Sequence, residues 1–199
     1  MQTITKVYDR YLQAQNAVKE LEAAGIPSSE ISLLANKTVS ERHDDVEDAS
    51  PAGTGAVIGA VAGGAAGLLT GLGLMAIPGI GPVVAAGWFA TTALGALAGG
   101  ATGGIVGALV DAGVSEDHAQ VYSEAVRRGG TLLSVKTSDG QASRVHAILD
   151  RHQPIDPALR SDEYRKSGWN TFDPQAEAYD ADARRDDRDD RNDRIRRAS

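Results

Sequence analysis

Apolar and polar positions alternate with different periods along this chain, and each change of period marks a new element. Residues 2–8 alternate as a strand does, with Ile4, Val7 and Tyr8 as the apolar positions. Tyr11, Ala14, Val18 and Leu21 then recur at helical spacing, with Asp9 as the expected N-cap and Gly25 just past the expected end. Residues 31–35 form a more continuously apolar run and predict a second strand. Beyond residue 110, Ser115 is placed to cap a helix with Glu116 and Asp117 in its first turn and Ala119, Tyr122, Ala125 and Val126 on its apolar side. Gly129 and Gly130 end it, residues 131–135 read as a third strand, and residues 140–152 as a helix that turns Val145, Ile148 and Leu149 inward. The order β-α-β, insert, α-β-α predicts an α+β fold, a small ferredoxin-like α/β sandwich. Neither flank is large enough to build a good core alone, so the two are expected to pack together.

Between the flanks lies a segment of another kind. Residues 52–110 carry no charged side chain. Glycine recurs in them every fourth position, at Gly55, Gly59, Gly63, Gly67 and Gly71, and then at Gly87, Gly95, Gly99, Gly103 and Gly107, with Thr91 at the missing step. Positions four apart share a helix face, so each half predicts a stripe where another backbone approaches closely. The break Pro78-Gly79-Ile80-Gly81-Pro82 predicts a turn. Together these features predict an antiparallel helical hairpin over 53–110, its first helix from about Thr54 to Met75 and its second from about Val83 to Val110. The first would be about 33 Å long at about 1.5 Å per residue, enough to span a hydrocarbon core of about 30 Å. Trp88, near the turn, would either anchor the far interface or be a buried core tryptophan. Glycine disfavours a lone helix in water by about 1 kcal/mol each, whereas lipid enforces backbone hydrogen bonding.

This pattern implies two partners, a lipid bilayer and further copies of the chain meeting glycine face to glycine face. The expected location is the cytoplasmic membrane with both termini in the cytoplasm, because the turn carries no Lys or Arg. The alternative is a soluble cytoplasmic oligomer in which the hairpin is the assembly element.

Composition narrows the chemistry. The chain has no cysteine, which removes thiolate chemistry and disulfides. The start lacks the pattern of a signal peptide. Net charge is −7, shared between both flanks, so no specific nucleic-acid face is implied. His43, His118, His146 and His152 show no metal-ligand spacing, and Gly71-x-Gly73-x-x-Ala76 does not follow a strand of a βαβ unit as a dinucleotide fingerprint does. No catalytic, cofactor-binding or metal site is expected. Residues 37–52 read as an acidic linker. Residues 154–199 read as a polar Asp/Arg-rich tail, largely disordered, whose protein partner the sequence does not name. Within it, the Gly168-Trp169-Asn170-Thr171-Phe172 stretch is expected to dock back on the domain.

The motifs Val7-Tyr8-Asp9, Ala17-Val18, Ala24-Gly25-Ile26 and Ile31-Ser32 resemble the bacterial general stress family that carries the heat-induced stress protein domain. So do Ala76-Ile77-Pro78-Gly79-Ile80-Gly81-Pro82, Val126-Arg127-Arg128-Gly129-Gly130 and Ile148-Leu149-Asp150-Arg151-His152. The resemblance covers residues 2–152. It implies a bacterial, non-enzymatic stress-response protein with no catalytic residues to transfer. Three function classes follow: a membrane-anchored stress protein, a soluble assembly module, and a small-ligand-binding α/β domain.

Overall fold

The computed structural model describes residues 1–36, 73–77, 80–89, 104–176 and Tyr179. Its five strands are β1 (Gln2–Tyr8), β2 (Ile31–Asn36), β3 (Gly73–Ile77), β4 (Gly81–Ala86) and β5 (Thr131–Thr137). They form one sheet in the order β1-β5-β2-β4-β3, antiparallel at every pairing. The helices are α1 (Tyr11–Ala23), α2 (Gly104–Asp111), α3 (Glu116–Arg127), α4 (Asp139–Arg151) and α5 (Pro157–Lys166).

The α+β class holds, but helices cover both faces of the sheet. Successive residues of a strand point to opposite faces. Leu33, Leu133, Val135 and Ile4 pack with α1 and α4, through Val18, Leu21, Val145 and Leu149. Leu34, Leu132 and Val7 pack on the other side with α2, α3 and the segment after α4. This explains the unbroken apolar runs of the inner strands, since a strand buried on both faces has no polar side to alternate with. Asp9 does not cap α1. Arg10 takes that position, its N–H donating to Gln13 Oε1 at 3.1 Å, while Asp9 pairs with Arg160 at 2.7 Å.

The larger correction falls in the glycine-rich insert. Residues 73–75 and 83–86, expected to be helical, lie in the strands Gly73–Ile77 and Gly81–Ala86, and the break between them joins β3 to β4 as a β-hairpin rather than joining two helices. Gly81 opens β4 opposite Ile77, and Pro82 stands opposite Ala76 beyond the end of the β2–β4 pairing. Two buried polar side chains of β2 fix this hairpin. Ser32 Oγ donates to Ala86 O at 2.8 Å and accepts the Phe89 N–H at 3.1 Å, and Asn36 Nδ2 donates to Ile80 O at 3.0 Å. Ile77, Ile80, Val83, Phe89, Ile105 and Leu109 are buried in the main core. The insert therefore supplies core, and its removal would open one face of the sheet. Among the described residues no helix is long and apolar enough to cross a membrane.

The glycine positions divide accordingly. Gly55, Gly59, Gly63, Gly67, Gly71, Gly95, Gly99 and Gly103, with Pro78 and Gly79 of the turn, lie outside the described residues. Gly107 sits in α2, but a Cβ built there would meet no described atom within 4 Å, so it marks no close approach to a described element. Gly87 is not helical. It follows β4 at φ +87°, where a Cβ would lie 2.3 Å from the Ile31 carbonyl oxygen. Gly87→Ala is therefore expected to destabilise by about 1–3 kcal/mol through overpacking and left-handed strain. In a helical stripe the same change would instead stabilise by about 1 kcal/mol. A denaturant midpoint that rises in this variant would restore the helical reading. Trp88 is held at the domain surface, its indole N–H donating to Glu30 O at 3.3 Å and its ring 4.0 Å from Lys136 Nζ.

Residues 154–176 are more structured than the composition of the C-terminal segment suggests. Asp156 caps α5, accepting the N–H groups of Ala158 and Leu159 at 2.8 and 3.2 Å, with Pro157 in the first turn. Ile155, Tyr164, Trp169 and Phe172 are all buried in the same core as α3. The aromatic stretch thus docks on the domain, as its sequence suggests.

Candidate functional site: an arginine cleft beneath the C-terminal segment

The most unusual chemistry in the described residues lies where α3 ends under this docked segment. Glu124 is fully buried (0% exposed) yet ionisable. Its carboxylate receives Arg127 Nε and Nη2, each at 2.8 Å, and Arg128 Nε at 2.6 Å. Helix geometry dictates the grouping, because residues three and four apart share a face. Two guanidinium groups thus share one buried carboxylate. The Arg128 guanidinium also lies 4.1 Å from the Tyr164 ring centroid, and Tyr179 lies over both arginines at 5.8 and 5.3 Å.

The C-terminal segment shapes the rest. α5 ends at Gly168, φ +85°, a left-handed conformation that glycine adopts freely. The Gly168 N–H then reaches Arg165 O at 2.9 Å and the Trp169 N–H reaches Tyr164 O at 3.1 Å, the paired bonds of a Schellman cap. This folds Trp169 edge-on against Tyr164 with centroids 5.7 Å apart. Gln120 of α3 clamps the continuation, its Oε1 accepting from Thr171 Oγ1 and the Phe172 N–H, both at 3.0 Å. A cleft of about 310 Å³ remains between Arg127, Arg128 and residues 167–171, and a second of about 500 Å³ lies between the start of α3 and α5.

Among the described residues no group of three His, Asp or Glu side chains is arranged to hold a metal ion. His152 bonds Glu20 at 2.8 Å on the opposite face, and His118 packs near Tyr122. Of the glycine-stripe and hairpin-turn positions singled out in the sequence, the described ones, Gly81, Pro82, Gly87 and Gly107, do not border the cleft. The arginine pair was visible only as part of a family-like motif, and nothing in its spacing announces a buried Glu124.

Burial pushes the Tyr164 phenol up to about 12, against the opposing pull of Arg160 and Arg128. Burial, helped by the negative charges of Asp156 and Asp150, raises Tyr122 to about 12, and burial raises Tyr8 further still. Unfolded phenols ionise near pH 10. The stability held by these neutral phenols is thus complete below about pH 10 and is lost as pH rises towards about 12. Tyrosinate absorbance at these positions is expected to appear together with unfolding. Ionisation of all five tyrosines near pH 10 in a still-folded protein would contradict this.

With the geometry in place, comparison with known proteins adds one result. Residues 3–78 match the family model of the heat-induced stress protein YflT domain. This stretch is similar to the heat-induced stress protein domain. The matched stretch runs from β1 to the turn after β3 and stops before β5, the strand that lies between β1 and β2. The YflT match therefore covers less than the folding unit, and less than the 2–152 span of the resemblance. No curated protein and no solved structure matches the chain.

Proposed function

We propose that this is a non-catalytic stress-response protein that assembles with further copies of itself through its glycine-rich segments. One observation carries the reading. The segments 37–72 and 90–103 leave and rejoin the same domain, the first between Asn36 of β2 and Gly73 of β3, the second between Phe89 and Gly104. Asn36 and Met75 flank Val83 from either side, so the first segment returns about 10 Å from its departure at the usual strand spacing. Small-residue stripes fixed at both ends to one rigid domain are suited to close contact between copies.

A second reading, association with the cytoplasmic membrane surface, is favoured by the absence of charge across 52–110. A segment that starts and ends on one side of a bilayer must cross it twice, which takes about 40 apolar residues. Segment 37–72 carries charge up to Asp48, and 90–103 is shorter than one crossing. The membrane reading thus becomes insertion into the interface, with the domain and both termini in the cytoplasm.

Light scattering on the purified chain, beside carbonate washing of membranes, separates the two. The assembly reading expects a defined oligomer without detergent, reduced by Gly63→Leu, and release of the protein into the carbonate wash. A monomer at all concentrations would remove it, and retention on washed membranes would favour the second reading.

A further inference from the structure

The β1 edge of the sheet is closed at one end and open at the other. Val7 turns its carbonyl outward, where it accepts the Ile155 N–H at 2.8 Å. Main-chain groups alternate in direction along a strand, so Thr5 and Thr3 point theirs outward as well, while Ile4 and Lys6 face Val135 and Leu133 of β5. Among the described residues, the outward N–H and C=O groups of Thr3 and Thr5 meet no partner. Proteins usually guard such an edge with proline, a bulge or an unpaired charge. β1 has no proline, its register on β5 is unbroken, and its one charge, Lys6, is paired with Asp150 at 2.9 Å.

The open stretch fits its own reverse. A two-fold axis makes an edge meet itself antiparallel, so the strand must complement itself. About Ile4, the run Gln2-Thr3-Ile4-Thr5-Lys6 sets Thr3 opposite Thr5 and Gln2 opposite Lys6, so no like charges face each other. Thr3 and Thr5 would exchange their outward main-chain bonds with Thr5 and Thr3 of the second copy. The pairing would end at Lys6, just where Ile155 takes over the edge at Val7. Charge is complementary beside the strands too. Asp150 bonds Lys6 at one end of β1, and Asp139 follows Thr137, the partner of Gln2, at the other. The rotation therefore sets Asp139 of one copy level with Lys6 of the other.

We propose that β1 pairs with β1 of a second copy, antiparallel and centred on Ile4, which joins two sheets into one. This contact lies at the edge opposite β3 and does not depend on the glycine segments. Two experiments on the full-length protein test it. The chain has no cysteine, so Ile4→Cys introduces a single thiol. On the axis the two copies of that position form a pair without hydrogen bonds, with Cα atoms about 4.5 Å apart, inside the disulfide range of about 4.4–6.8 Å. Gln2→Cys is the control, since residue 2 is more exposed yet the register holds its two copies about 13 Å apart or more. Mild oxidation is expected to link Ile4→Cys chains into dimers and to leave Gln2→Cys chains largely unlinked.

The second experiment is sedimentation of the Gly63→Leu chain over a range of concentrations, which weakens the glycine contact and isolates this one. A reversible dimer is expected to remain. Adding Thr3→Pro should weaken it about tenfold or more, because proline removes an outward N–H that only the second copy uses, and edge strands tolerate proline. If that variant fails to fold, the crosslinking pattern decides. Failure of the glycine reading shows differently, as assembly in Gly63→Leu equal to that of the parent. Linking of Gln2→Cys that equals or exceeds that of Ile4→Cys, a Gly63→Leu chain that is monomeric at every concentration, or a dimer undiminished by Thr3→Pro in folded protein would overturn the proposal.

Discussion

Truncation after Gln153 is expected to abolish cooperative unfolding or to lower the midpoint severely, even though the segment removed has the composition of a solvated tail. The cut deletes Ile155, Tyr164, Trp169 and Phe172, all buried against α3 and the sheet. Full burial of one large apolar side chain stabilises by about 1.5–3 kcal/mol, so four of them contribute on the order of 6–12 kcal/mol. That rivals the whole stability of an ordinary domain, about 5–15 kcal/mol. The cut also removes the Ile155 N–H bond to Val7 O at 2.8 Å, which closes part of the outer edge of β1, and the Arg160–Asp9 ion pair. Truncation after Tyr179 keeps all of these and is the control. Equal thermal unfolding of the two shortened chains and the full chain would show that the C-terminal segment does not dock.

The reason α5 escapes a reading of periodicity is physical. Its sequence, Pro157 to Lys166, is polar nearly all round, and only Ser161 and Tyr164 are buried. A helix held mainly by its ends leaves no apolar stripe to read. The legible signals were the Asp156-Pro157 start and the Gly168 stop. By contrast, β1, α1 and α4 were legible because their inward positions repeat with the period of the element, and β2 and β5 because each is a short continuous apolar run.

β3 and β4 were obscured for the opposite reason. They sit within an apolar stretch so rich in glycine and alanine that a four-residue repeat outweighs any period of two. The β-branched pair Val83-Val84 directly after Pro82 was the available strand signal, with Pro78-Gly79 as the turn before it. Sheet membership was settled by partners far away in sequence. Ser32 and Asn36, polar side chains on an otherwise apolar strand, hold the hairpin in place, and no local pattern around residue 80 reports that.

The arginine cleft was illegible at its centre. Glu124 occupies a helix position that amphipathic spacing assigns to neither face decisively. Its burial arises because the docked C-terminal segment covers a side of α3 that would otherwise meet water.

This burial makes Glu124→Ala the second large expected effect. The substitution leaves Arg127 and Arg128, with side chains only 11% and 17% exposed, without the carboxylate both of them bond. Breaking a buried pair by removing one partner destabilises by about 3–5 kcal/mol, because the stranded charge has lost its water and gained nothing in return. At about 2–4 °C per kcal/mol for a chain of this size, the melting temperature should fall by roughly 6–20 °C. The stranded charges can be separated from the lost packing by a double variant. Glu124→Ala with Arg128→Ala removes one of the two cations that lose the carboxylate and should recover part of the loss, so the two substitutions are non-additive. Arg127 Nε and Nη2 remain without the carboxylate in that double variant, so recovery should be incomplete. A melting temperature within about 2 °C of the parent in Glu124→Ala, or strictly additive losses in the double variant, would show that the arginines find water at once and that the cluster contributes little more than a surface ion pair.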